Sequence, residues 1–126
     1  MESFPSIDEV LERARARLDR VPPRDLEREM GVGALVVDVR TSEQRDRDGD
    51  LPGAHIVDLT VLEWRLAPSS RHRELDFPAD RRVILVCNQG FSSSLAAARL
   101  QELGLVNATD LEGGFKAWKS WKDADD

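Results

Sequence analysis

Residues 83–94 read Val83-Ile84-Leu85-Val86-Cys87-Asn88-Gln89-Gly90-Phe91-Ser92-Ser93-Ser94 and continue into Leu95-Ala96-Ala97-Ala98-Arg99-Leu100. Four consecutive β-favouring apolar residues predict a buried strand. The alanine-rich continuation, with Ala96, Leu100 and Leu103 as its apolar positions, predicts an amphipathic helix. The only cysteine of the chain falls between the two. A thiol at the carboxyl end of a strand, just ahead of a helix N-terminus, stands where an open α/β sheet places its ligands.

That position favours a thiolate. A short loop curling from strand to helix can turn several backbone N–H groups toward one sulfur, and the helix dipole adds partial positive charge at the same end. A dipole contribution of about 1–2 kcal/mol corresponds to a pKa lower by about one unit. Inward N–H groups would lower it further, from a free value of about 8.5 toward neutrality. Gly90 permits the turn because glycine adopts positive φ without steric cost. The alternative for a lone cysteine is a buried structural residue, small and apolar, closing a strand.

Longer patterns decide between these. Cys87-x-x-Gly90-x-x-Ser93 is followed by Ala96-Ala97 and Leu100, then Gly104-Leu105-x-Asn107, then Leu111-x-Gly113-Gly114-Phe115-x-x-Trp118. Upstream stand Val37-Asp38-Val39-Arg40 and Gly49-Asp50-Leu51-Pro52-Gly53-Ala54-His55. Together these blocks resemble, in order and spacing, the single-domain rhodanese family of sulfurtransferases, over roughly residues 21–120. The resemblance implies Cys87 as the catalytic nucleophile and Asn88, Gln89, Gly90, Phe91, Ser92 and Ser93 as the active-site loop. It implies a persulfide cycle between a small sulfur donor such as thiosulfate and a thiol or sulfur-carrier acceptor. Such a cycle needs no metal and no organic cofactor, since the cysteine carries the group.

Length and composition agree with one soluble domain. The 126 residues suffice for a core without staples. A net charge of −6 argues against nonspecific nucleic-acid binding. A single cysteine excludes an intrachain disulfide and a cysteine-based metal site. No apolar run approaches membrane-spanning length, and the N-terminus lacks a signal peptide's apolar region, so a cytoplasmic protein without membrane contact is expected. A monomer or weak dimer is expected.

Along the chain, Ser6 with Glu9 forms a capping-box pattern ahead of Ile7, Val10, Leu11, Ala14 and Leu18 at helical spacing. Residues 1–20 are therefore a helical extension expected to pack on the sheet, with Arg13, Arg17 and Arg20 on solvated faces. Residues 21–122 form the rhodanese-like domain, and 123–126 are an acidic, frayed tail. Pro22-Pro23 breaks the chain before a short helix to Met30. Ala34–Val39 reads as a central strand. Thr41–Asp50 reads as an exposed connection, His55–Leu59 as a short strand, and Leu59–Leu66 as a helix. Pro68–Pro78 reads as a long irregular segment of the kind that is often functional. Val106–Leu111 supplies a last strand and Gly113-Gly114 opens a final helix, whose Phe115, Trp118 and Trp121 are core residues. This order of elements predicts an α/β fold, a parallel doubly wound sheet with helices on both faces.

Asp38 and Arg40 are supporting candidates at the end of the first strand, with a structural role favoured by the resemblance. Arg65 and the Arg71–Arg73 group are candidates for positive charge near the sulfur, because an anionic donor needs a cation. Only His55 and His72 are present, and no Cys–His nucleophilic pair is recognisable from spacing. The family's more frequent histidine after the first glycine of the Gly49 block is replaced by Asp50.

Many small rhodaneses also carry arginine five residues after the cysteine and a basic residue early in the loop. Here Ser92, Asn88 and Gln89 occupy those positions. Ser92 is expected to donate to the sulfur or to cap the helix. Without a bidentate clamp for an oxyanion, weaker thiosulfate use is expected than in arginine-containing relatives. Phe91 offers an apolar contact at the loop tip. A cysteine phosphatase or arsenate reductase would need arginine six residues after the cysteine, where Ser93 stands. A non-catalytic rhodanese module, binding partners or sensing oxidants through Cys87, is the alternative of a different class.

Overall fold

The computed structural model describes residues 3–124. Its centre is a parallel sheet of four strands: β1 (Leu35–Asp38), β2 (His55–Ile56), β3 (Val83–Val86) and β4 (Ala108–Asp110), in the spatial order β2-β1-β3-β4. The chain moves outward from β1 to β2, then returns to the other side of β1 to lay down β3 and β4. The order therefore reverses between β1 and β3, and the carboxyl ends of those two strands form the crevice where open α/β sheets bind ligands. Their register pairs Asp38 with Val86, so Cys87 emerges beside the end of β1.

Alternation along the two central strands builds both layers of core. Leu35, Val37, Val83 and Leu85 face a cluster with Leu62, Leu66, Leu100 and Leu105. Val36, Ile84 and Val86 face the opposite cluster with Leu26, Leu111, Phe115 and Trp118. Helices α4 (Leu62–Leu66) and α5 (Ser92–Glu102) cover the first face; α2 (Leu26–Gly31) and α6 (Gly114–Ala124) cover the second. All four residues of β3 are fully buried, and at about 1.5–3 kcal/mol each their burial favours the strand by roughly 6–12 kcal/mol before entropy is counted. That gross term explains why so short a strand is central.

Helix α1 (Ile7–Arg15) starts at Ser6, whose hydroxyl accepts from the Glu9 N–H. It does not pack on the sheet, as its apolar spacing suggested, but on the outside of α5. Helix α5 is thus covered on two sides, which small residues allow: Ser93, Ser94, Ala97 and Ala98 are buried along with Leu100. The same double coverage blurs its apolar stripe, and Leu103 is exposed.

Three further segments differ from the sequence reading. Thr41–Asp50 is not a bare connection: Ser42–Asp48 forms α3, started by a complete capping box between Thr41 and Gln44. No residue of α3 is buried, so no hydrophobic period announced it. The expected strand His55–Leu59 stops at Ile56, because Asp58 caps a 3₁₀ turn at Leu59–Val61. The final helix runs through Asp123, which pairs with Lys119 at 3.0 Å, rather than fraying there; Asp125 and Asp126 of the expected tail lie outside the described residues.

The end of β1 is locked by charge. Asp38 accepts from the Arg40 Nε at 3.0 Å and Nη2 at 2.8 Å, and both side chains are buried. Arg40 also donates to the Gly49 carbonyl and lies 3.8 Å over the Phe115 ring. Asp38→Asn would strand the guanidinium in that setting. Loss of about 3–5 kcal/mol is expected, a fall in Tm on the order of 10–20 °C for a chain of this size. Thermal unfolding checks it.

Candidate active site

The strand β3 ends at Val86, and the chain then turns through residues 87–91 into α5. Gly90 sits at φ 85°, open to glycine but strained for other residues. This turn brings the Gly90 N–H to 3.1 Å and the Ser93 N–H to 3.4 Å from Cys87 Sγ. The thiol itself donates to Ser93 Oγ at 3.2 Å. Phe91 is the N-terminal boundary residue of α5 and makes no side-chain cap, so Ser92 occupies the first turn, where its hydroxyl also favours the sulfur anion.

Burial pushes the Cys87 thiol up, since the residue is only 6% exposed. The Ser93 and Ser92 hydroxyls and the Ser93 and Gly90 N–H groups together outweigh that penalty and leave the pKa below the ordinary thiol value. Alkylation of Cys87 in the folded chain is therefore expected to titrate in at lower pH than in the urea-unfolded chain, slow on the acid side and fast on the alkaline side. Iodoacetamide rates against pH measure this directly. Because the folded pKa is the lower one, the interaction stabilises the fold above the unfolded pKa, and that contribution is lost as pH falls through the folded value.

The loop is held from below by a second helix. The Phe115 N–H donates to the Cys87 carbonyl at 2.8 Å and the Lys116 N–H to the Asn88 carbonyl at 3.1 Å. The backbone of α6 comes this close because Gly114 carries no side chain: a Cβ there would lie 2.6 Å from the Cys87 oxygen. Asn88 is half-buried, Gln89 is exposed, and Phe91 projects from the loop tip with 57% of its surface open.

The other expected site residues are placed differently. Asp38 and Arg40 are buried and close on each other at the end of β1. Arg71 lines a groove of about 580 Å³ with Trp64, His72, Arg99 and Leu103, and no residue of the cysteine loop lines it. Its neighbour Arg99 lies in the second half of α5 and Leu103 just beyond its end, about two turns or more from the loop. Arg73 is folded onto Phe77, with its Nη2 donating to the Phe77 carbonyl at 2.8 Å. The Arg65 side chain is partly buried and is not among the groups that hold Sγ.

Residues that sequence reasoning passed over surround the loop instead. Asp110, fully buried at the end of β4, accepts from the Ser93 and Ser94 hydroxyls, each at 2.7 Å. Arg20 donates to Asp110 at 2.8 Å, and Arg15 donates to the Gly90 carbonyl at 2.7 Å. Arg20 lies beyond the end of α1, so helical spacing assigned it to the wrong face. A carboxylate at the end of a short strand, directly before the apolar Leu111, was the available signal for Asp110. Among the described residues no group of three or more His, Cys, Asp or Glu side chains is placed to hold a metal ion, and no helix is long and apolar enough to cross a membrane.

Comparison with known proteins agrees with this geometry. A family model described as the rhodanese-like domain matches residues 22–120. The thiosulfate sulfurtransferase GlpE of Pseudomonas fluorescens SBW25 is 35% identical over 101 residues, spanning 80% of this chain and 84% of the relative. The Pseudomonas putida KT2440 protein of the same name is 34% identical over 102 residues, 80% of this chain and 84% of its own. Among solved structures, a Rhodopseudomonas palustris protein of unknown function, described as a possible tyrosine phosphatase, superposes with a TM-score of 0.82 at 26% identity. That superposition covers 97% of this chain and 95% of the other, so it includes the N-terminal helix. A rhodanese homologue of Thermus thermophilus superposes at 0.55 with 32% identity, covering 78% of this chain and 98% of its own.

Proposed function

The chain belongs to the rhodanese-like domain family, and from that premise we propose that it is a sulfurtransferase that carries a sulfane sulfur as a persulfide on Cys87. The observation that supports this most is the convergence of the Gly90 and Ser93 N–H groups on a buried Sγ. Such donors stabilise a sulfur anion without needing a cation beside it. The thiolate attacks the outer sulfur of thiosulfate: the Cys87 Sγ–S bond forms, the S–S bond of thiosulfate breaks, and sulfite leaves with the electron pair. The product is Cys87–S–S⁻, with total charge unchanged. An acceptor nucleophile then attacks the outer sulfur, leaving with it and returning Cys87 to the thiolate. Cyanide serves in an assay, and a thiol or a sulfur carrier in the reducing cytoplasm.

Atoms beyond Sγ in the donor meet a neutral loop. Asn88 and Gln89 offer amide groups, Ser92 a hydroxyl, and no arginine within residues 87–93 clamps the departing sulfonate. The chain therefore uses thiosulfate with a higher KM than arginine-containing relatives, and Phe91 turns an apolar face toward what approaches. Phosphoryl transfer is disfavoured for the same reason, since Ser93 stands where the clamping arginine is required. Steady-state kinetics with thiosulfate and cyanide test the reading. Parallel double-reciprocal lines support a carried sulfur, whereas intersecting lines, or no thiocyanate at any thiosulfate concentration, overturn it.

A further inference from the structure

The loop that holds Cys87 is itself held by a buried charge pair contributed from outside it. Asp110 at the end of β4 has no solvent exposure, and its partner Arg20 is 16% exposed. Arg20 Nε donates to Asp110 Oδ1 at 2.8 Å, and its Nη2 reaches both Oδ2 and the Gly90 carbonyl at 3.3 Å. Oδ2 also receives the Ser93 and Ser94 hydroxyls. Arg15 of α1 completes the enclosure, donating to Ser94 Oγ at 3.1 Å and to the Gly90 carbonyl. Both arginines precede residue 22, where the family match begins.

The chemistry lies in the Ser93 proton. A hydroxyl has one hydrogen. While it goes to Asp110, Ser93 presents lone pairs to the sulfur, an arrangement suited to the thiol, which donates to Oγ. When Cys87 loses its proton to solvent, Ser93 favours the anion only by turning its hydrogen from Asp110 to Sγ. The carboxylate and the sulfur anion thus compete for one donor, and the positive charge of Arg20 decides how strongly Asp110 holds it. We propose that Asp110 and Arg20 are positioning residues for the Cys87 sulfur, acting through Ser93, with the segment before the family domain as an integral part of the site. The charged groups packed around the loop are Arg15 from α1, Arg20, Asp110 from β4, Lys116 at the start of α6, and the self-paired Asp38 and Arg40 from β1. Only Asp110 and Arg20 bear on the Ser93 hydroxyl.

The inference takes Cys87 as the reacting group of the proposed function, but its test reads ionisation rather than sulfur transfer. Iodoacetamide alkylation rates are measured against pH for the full chain and for Asp110→Asn, Arg20→Gln, Arg20→Lys and the double variant Arg20→Gln with Asp110→Asn. Asp110→Asn puts a weaker, uncharged acceptor opposite the Ser93 hydrogen and is expected to move the midpoint down by about half a unit or more, a rate gain of about threefold on the acid side. Arg20→Gln leaves the carboxylate uncompensated and moves the midpoint up by a similar amount. Arg20→Lys and the charge-neutral double variant return it toward the wild-type value. Shifts of the same sign in both single variants, or no shift in either, overturn the proposal. Should Asp110→Asn not fold, the contrast between Arg20→Gln and Arg20→Lys decides alone: an unshifted Gln variant, or a Lys variant shifted as far as Gln, overturns it. Failure of the sulfurtransferase reading would appear separately, as wild-type protein that ionises normally and gains no sulfur.

Discussion

Cys87→Ser is expected to lower sulfur transfer by at least about a thousandfold, the scale on which removal of a nucleophile acts in enzymes that work through a covalent intermediate. The hydroxyl fits the space of the thiol, and the Gly90 and Ser93 N–H groups remain to bind it. What is lost is chemical: a serine hydroxyl ionises far above the range in which the assay runs, and no persulfide can form on oxygen. Because the substituted atom is buried and still hydrogen-bonded, the variant keeps its fold, and its melting temperature separates chemistry from stability. Thiocyanate production from thiosulfate and cyanide is the measurement.

The second large effect is expected from a residue that touches no substrate. Gly114 lies at φ 67°, and a Cβ there would stand 2.6 Å from the Cys87 oxygen and 2.7 Å from the Asn88 carbonyl carbon and oxygen. Left-handed backbone costs an L-residue roughly 1–2 kcal/mol. The larger consequence is steric, because the atoms met are backbone and cannot swing away. Gly114→Ala must push the loop off the Phe115 and Lys116 N–H groups that hold it, displacing Sγ relative to its donors. A shift near 1 Å costs catalysis on the order of a hundredfold, and kcat/KM should fall by about that factor. Gly53→Ala is the control. Gly53 has a similar φ of 84°, but its Cβ would meet only the flexible end of Met30, at 3.1 Å. It carries the backbone cost without moving the loop, so its kcat/KM should stay within about twofold of wild type.

The contrast between these residues shows what was legible in the chain. Val83–Val86 announced β3 because a fully buried strand needs four apolar residues in a row, and Cys87 followed at the one point where such a strand meets a helix. Local signals also fixed the turn at Gly90 and the final helix after Gly113-Gly114. Helix α3 was hidden because it buries nothing, and only its capping box marked it. Arg15, Arg20 and Asp110 were hidden for a different reason. Their meaning depends on α1 lying across α5, a contact between segments some eighty residues apart that no local period encodes. Arg71 lines a groove with Arg99 and Leu103, whereas the groups seen on the sulfur are the Gly90 and Ser93 N–H groups and the Ser93 hydroxyl, none of which a search for cations would find.

The persulfide on Cys87 is tested most directly by intact mass. The protein is incubated with thiosulfate, desalted and weighed, then treated with cyanide and weighed again, with Cys87→Ser carried alongside. A gain of one sulfur atom that cyanide removes, absent from the variant, is the predicted result. An unchanged mass with thiosulfate, mercaptopyruvate and a low-molecular-weight persulfide alike, or a gain that persists in Cys87→Ser, would contradict it.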